Sequence, residues 1–222
     1  MIFSGIIREL KSMRSEENVK GMARFGITGK KVLGIQVYKL RSLAKRIGRN
    51  HELALKLWET GIHEARILAV FIEEPDKVSG RQMDEWSHDF ESWDDTDQAC
   101  TGLFDKTKHS WKKVKEWSNR RDEFGKRAAF SLIAGLASHD KEASDEEFIK
   151  LFPIIKKASA DNRNFVKKAV NWALRGIGKR NKNLNKEAVK LCNELIKMNN
   201  KTAKWIGTNA LKELKNEKKL KD

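Results

Sequence analysis

Two short patterns in this chain have residue types and spacing that could do chemistry. Trp93 and Asp97 are four residues apart, so a helix running through both presents an indole and a carboxylate on one face. Such a pair can wall a site for a cationic group, the ring adding a cation–π attraction of about 0.5–2 kcal/mol and the acid adding charge. The same spacing also suits a core indole beside a first-turn aspartate that caps the helix, and spacing alone leaves both readings open. The second pattern is Lys168, Trp172, Arg175 and Lys179, which step by 4, 3 and 4 and so share one helical face. Cations placed this way reach phosphates while the ring meets a sugar or base. An indole half covered by lysine stems is the plainer alternative. Arg127, beside Lys126 at the start of another predicted helix, adds to the same basic face. Trp58, Trp86, Trp111, Trp117 and Trp205 fall on apolar stripes and read as core.

The charge inventory bears on what such a face would meet. In 222 residues there are 46 Lys and Arg against 31 Asp and Glu, a formal charge of +15, which makes polyanions the first partners to consider. The charge is uneven. From Asp84 to Asp105 there are eight carboxylates and no Lys or Arg, whereas from Lys156 onward there are nineteen Lys and Arg against six acids. Most acids of the island read as outward or helix-capping groups. Cys100 and Cys192 are too few for a disulfide framework, and no run reaches the roughly 18 apolar residues of a membrane span. Neither the cysteines nor the five histidines fall at metal-ligand spacing. The expectation is a cytoplasmic protein with no metal and no cofactor.

The elements that must hold these residues are helices. Apolar residues recur with a 3.6-residue period, and strand-like alternation is almost absent. Residues 53–58 and the stripe Ile62, Ala65, Leu68, Ala69, Ile72 form a hairpin turned at Thr60-Gly61. Similar pairs follow: 82–90 with 95–104, 111–117 with 124–137, 146–158 with 165–178, and 186–198 with 202–215. Second helices recur every 30 to 40 residues or so, the period of stacked helix-pair repeats. Ala99, Ala128, Ala129 and Ala169 keep a loose common register that allows close approach. The predicted fold is all-α, a right-handed α–α superhelix of helical repeats forming a single domain over 1–222. From about residue 212 a lysine-rich segment is expected to fray into a charged tail.

Several stretches, in this order and spacing, resemble the DNA alkylation repair family of AlkD-like DNA glycosylases, which are built of HEAT-like repeats. They include Val32-Leu-Gly-Ile35, Lys39-Leu-Arg41, Leu53 to Trp58 with Glu64-Ala-Arg66, Ser92-Trp-Asp-Asp-Thr-Asp97 and Lys126-Arg-Ala-Ala129. The fullest is Asn164-Phe-Val-Lys-Lys-Ala-Val-Asn-Trp-Ala-Leu-Arg175. The resemblance covers about Met22 to Lys215. It implies removal of positively charged N3- and N7-alkylated purines, such as 3-methyladenine and 7-methylguanine, from duplex DNA, with the lesion still stacked. It places the catalytic acid at Asp97, the two flanking indoles at Trp93 and Trp172, and a phosphate-contacting arginine at Arg127. Lys168, Arg175 and Lys179 complete the DNA contacts.

Two departures are visible. The family run is commonly Trp-Trp-Asp-Thr-Val-Asp, and here only one Trp is present. Gapless matching keeps Asp97 as the acid, whereas matching the Asp-Thr dipeptides would put Gln98 there. Phe25 stands where some members have a Tyr. The mechanism implied is hydrolysis through an oxocarbenium-like sugar, with Asp97 giving negative charge under C1′ and positioning water. A catalytically inactive DNA binder and a protein-binding helical scaffold are the rival classes.

Overall fold

A computed structural model describes residues 2–29 and 31–215. Among them the regular elements are helical, with no strand. The chain parts between Lys108 and His109 into two compact units.

In the first unit, α1 (Phe3–Ser12), α2 (Glu16–Arg24) and α3 (Val37–Ile47) precede the hairpin of α4 (His51–Glu59) and α5 (His63–Ile72); α6 (Gly80–His88) and α7 (Trp93–Gly102) follow. Asn50 caps α4 by accepting from the Leu53 N–H. Gly61 closes the turn at φ +64, a conformation glycine takes without penalty. The apolar stripe predicted for α5 is broader in the structure: Ala65, Ile67, Leu68, Ala69, Val70 and Ile72 are all buried, because α3, α4 and α7 pack around it. Trp58 and Trp86 stack with ring centroids 3.9 Å apart. Buried Glu64 accepts from the backbone N–H groups of Leu33, Gly34 and Ile35. It thereby satisfies three donors of an irregular segment that no helix could pair.

The second unit holds α8 (Ser110–Trp117), α9 (Glu123–His139), α10 (Asp145–Ile149), α11 (Phe152–Ala158), α12 (Asn164–Gly178), α13 (Lys182–Lys197) and α14 (Lys201–Leu214). The sequence predicts one helix over 146–158, but it breaks between α10 and α11. Pro153 lacks the N–H that would bond to the carbonyl of Ile149, and its ring would clash there. The small residues act as expected: Ala128, Ala129 and Ala169 are fully buried, and a methyl at Gly176 would sit 3.5 Å from the Ala134 Cα on α9. At Gly207 a Cβ would fall 2.6 Å from the Cys192 carbonyl, so α14 packs against α13 backbone to backbone. The second helices of the pairs begin at residues 63, 93, 123, 164 and 201, so the repeat is real. Of the expected charged tail, residues 212–214 end α14, and 216–222 lie outside the described residues.

Candidate nucleic-acid interface

In the first unit, the start of α7 decides which acid does what. Ser92 is the N-cap, accepting from the Asp95 N–H, and the Asp95 carboxylate returns the bond to the Ser92 N–H, a reciprocal capping box. Asp95 also accepts from the Glu91 and Thr96 N–H groups and the Ser92 hydroxyl, and the Thr96 hydroxyl donates to the Ser92 carbonyl at 2.7 Å. Burial pushes Asp95 above the usual carboxylate range despite these bonds and the nearby His63. The acid of the α7 capping box is therefore Asp95. Asp97 lies one turn past Trp93 on α7, and both are half-buried. Trp93 is not a core indole: its Nε1 donates to the Phe25 carbonyl at 2.9 Å.

Trp93 and Asp94 wall a cleft of about 690 Å³ with Phe25, His63 and apolar side chains from α2, α3 and α5; Asp97 is not part of this lining. His63 Nε2 lies 3.1 Å from Asp94 Oδ2. Burial of His63 would lower its pKa, but the hydrogen bond to Asp94 and the charges of Asp95, Asp94 and Glu64 outweigh it, and the net direction is upward.

In the second unit, α12 delivers most of the predicted stripe to one place. Trp172, Arg175 and Lys179 wall a cleft of about 660 Å³ with Lys141, Arg180 and Glu213. Trp172 is half-buried and Lys179 exposed. Arg175 Nη1 and the Lys179 ammonium both close on the carboxylate of Glu213. Burial would raise Glu213, but its bonds with Lys179 and Arg175 prevail and hold it below the usual range, so it is charged. Arg180 has a structural task. Its Nη1 donates to the carbonyls of Ala137 and Asp140 at 2.9 and 2.8 Å, and its guanidinium lies 4.3 Å from the Phe148 ring.

Two members of the predicted set stand elsewhere. Lys168 is exposed on α12 outside the cleft lining. Arg127 is only 5% exposed, and its Nη1 donates to the Phe165 carbonyl at 2.6 Å, tying α9 to the first turn of α12. Trp205, read from sequence as core, is 41% exposed with the Lys167 ammonium 5.1 Å from its ring. The buried stripe of α14 runs through Ala203, Ile206, Ala210 and Leu214 and leaves position 205 beside it. Sequence reading also missed Lys141, from the loop after α9, and Glu213, from the last turn of α14. It missed the capping box too, though Ser92-x-x-Asp95 was a usable local signal.

Among the described residues no three His, Cys, Asp or Glu side chains group as metal ligands, and no helix is long and apolar enough to cross a membrane. The family model described as DNA alkylation repair enzyme matches residues 6–214. No curated protein matches the chain. Among solved structures, one described as "A new family of proteins related to the HEAT-like repeat DNA glycosylases with affinity for branched DNA structures" superposes with a TM-score of 0.79 at 21% identity. The match covers 96% of this chain and 95% of that one. The fold is therefore the HEAT-like repeat fold.

Proposed function

The chain belongs to the DNA alkylation repair enzyme family, and from that membership we propose that it grips duplex DNA by its phosphates on the α12 face and acts on alkylated purines. The observation that carries the binding step is the second unit's open cleft, where an indole stands among Lys141, Arg175 and Lys179, and the carboxylate of Glu213 pairs with Arg175 and Lys179. A DNA phosphate is a natural replacement for that carboxylate, since a guanidinium and an ammonium bind both. Lys168 extends the contact along α12. Arg127 serves beneath the surface, orienting the first turn of α12 through Phe165.

The chemical step proposed is hydrolysis of the N-glycosidic bond of N3- and N7-alkylated purines such as 3-methyladenine and 7-methylguanine. A cationic base departs readily because leaving neutralises its charge, so the protein need only stabilise the sugar cation and aim a water. Asp97 supplies the negative charge and orients the water. Trp93, one turn from Asp97 on α7, offers an electron-rich ring face to the developing cation, the role that the family resemblance gives to Trp172 as well. Arg175 and Lys179 keep the backbone in register.

A second reading has its own supporting observation. The dipeptide Asp95-Thr96 caps α7; if the family's Asp-Thr pair does the same, Gln98 takes the acid's register and the protein binds DNA without releasing a base. The similar solved structure, described as having affinity for branched DNA structures, suggests the ligand for that case. One experiment separates the two. Methylated duplex DNA is incubated with the protein and with Asp97→Asn, released 3-methyladenine and 7-methylguanine are measured, and binding to duplex and four-way junction DNA is followed by gel shift. Base release that disappears in Asp97→Asn, with binding kept, supports hydrolysis. Junction binding without release by the unaltered protein supports the second reading, and absence of DNA binding ends both in favour of a protein scaffold.

A further inference from the structure

The first unit's cleft shares only its Trp93 wall with the hydrolytic scheme, yet it is built like a ligand site. Its volume of about 690 Å³ lies within the range of small-molecule pockets, roughly 300–1,000 Å³. Its walls are mainly apolar, with Met22, Ile27, Ile35, Val37 and Ile67 among them. The Trp93 indole is pinned at Nε1 by the Phe25 carbonyl, so this wall is preorganised. Phe25 itself is 72% exposed, an aromatic side chain left in water at the edge of an apolar hollow.

The polar groups, which include Asn18 and Gln36, differ between the buried and the exposed parts of the lining. Inside, Asp94 holds His63 through Oδ2, while Oδ1 has no partner among the described residues. At the rim, Lys20 and Arg24 stand one turn apart on α2, both exposed, with exposed Glu17 one turn before Lys20, so the rim holds two cations and one carboxylate. An occupant matching this layout has a flat apolar body, a donor edge for a carboxylate and an anionic group a few ångströms behind. A purine nucleotide has all three. Of the bases, guanine presents two adjacent N–H donors on its Watson–Crick edge, the pattern a carboxylate accepts in a paired fashion. A base still paired has that edge occupied, so only an unpaired one fits.

We propose that the cleft between α2, α5 and α7 receives an unpaired guanine of DNA, with its ring against Trp93 and Phe25, its amino edge on Asp94 and its phosphate at Lys20 and Arg24. This rests on the protein being a DNA binder, and it adds a base-reading site that hydrolysis of a stacked lesion does not use. His63 positions the Asp94 carboxylate through one lone pair of Oδ2, leaving Oδ1 and the other lone pair of Oδ2 to the two guanine N–H groups.

The test measures fluorescence anisotropy of labelled 20-bp duplexes that are fully paired, carry one bulged guanine, or carry one bulged thymine. The bulged-guanine duplex is expected to bind about tenfold tighter than the paired one, in the range that one stacked and hydrogen-bonded base contributes. Asp94→Asn should bring that preference down to the bulged-thymine level while leaving fully paired binding unchanged. Met22→Trp, which fills the cleft without touching its polar groups, should do the same. Guanosine 5′-monophosphate at millimolar concentration should suppress the preference, and adenosine 5′-monophosphate should not. Equal affinity for bulged guanine and paired duplex, or a preference that survives both variants, overturns the proposal. If guanosine 5′-monophosphate alone binds and no bulge preference exists, the DNA-borne guanine is likewise overturned. Failure to bind even paired duplex strikes the binding function itself, so the two failures are distinguishable.

Discussion

Arg175 and Lys179, one turn apart on α12, close on a single carboxylate, that of Glu213 on α14. Both cations thus share a counter-ion that the protein itself supplies. Any phosphate binding there competes with Glu213.

Glu213→Gln should therefore tighten DNA binding, by about 3- to 10-fold at moderate salt. It should also steepen the log–log salt dependence by about 0.9 for each phosphate newly engaged. Anisotropy titrations from low to moderate salt measure both. An unchanged slope would mean that the α12 face meets no phosphate.

Trp172→Ala should weaken binding by about 1–3 kcal/mol if its ring stacks on a base or sugar. The unfolding midpoint should move little, since the indole is half-buried at the cleft wall. Parallel binding and thermal-melt measurements separate this from a packing loss, in which stability would fall along with affinity.

Glu64→Ala should be among the most destabilising single changes in the first unit. It strips the partner from three buried N–H groups at Leu33, Gly34 and Ile35, for a cost of about 3–5 kcal/mol. Urea unfolding of the variant should show the loss, and Glu64→Gln, which keeps an acceptor oxygen, should recover part of it.

His63 makes the first unit's stability depend on pH near neutrality. Its pKa in the folded chain lies above the ordinary 6.5. Folding thus favours the protonated ring, and the stability this adds is fully present below pH 6.5. It is lost as pH rises through the folded value. Asp95, also raised from the carboxylate range by burial, titrates from the acidic side and can be followed apart. Chemical denaturation across pH 5.5–8.5 should show stability falling in the native protein, with a flatter profile in His63→Gln.

What the amino-acid order determined by itself was local. Apolar spacing sets helices within a few residues, Gly61 sets the hairpin turn, and Pro153 marks a break that the spacing alone did not register. The 4-3-4 step from Lys168 to Lys179 puts those side chains on one face of any helix that contains them, and Trp172, Arg175 and Lys179 do share a cleft. Such features depend on backbone geometry over one or two turns, which a linear chain carries with it. Tertiary packing decided which side chains meet water and which meet each other. Arg127 went inside because the Phe165 carbonyl, 38 residues away, offered it a partner. Trp205 came out because α14 buries the stripe beside it. Glu213, part of a segment that looked like tail, became the counter-ion of the basic cleft, and Asp94 joined His63 from another helix. Burial and long-range pairing depend on how helices distant in sequence come together. No window of neighbouring residues contains that information.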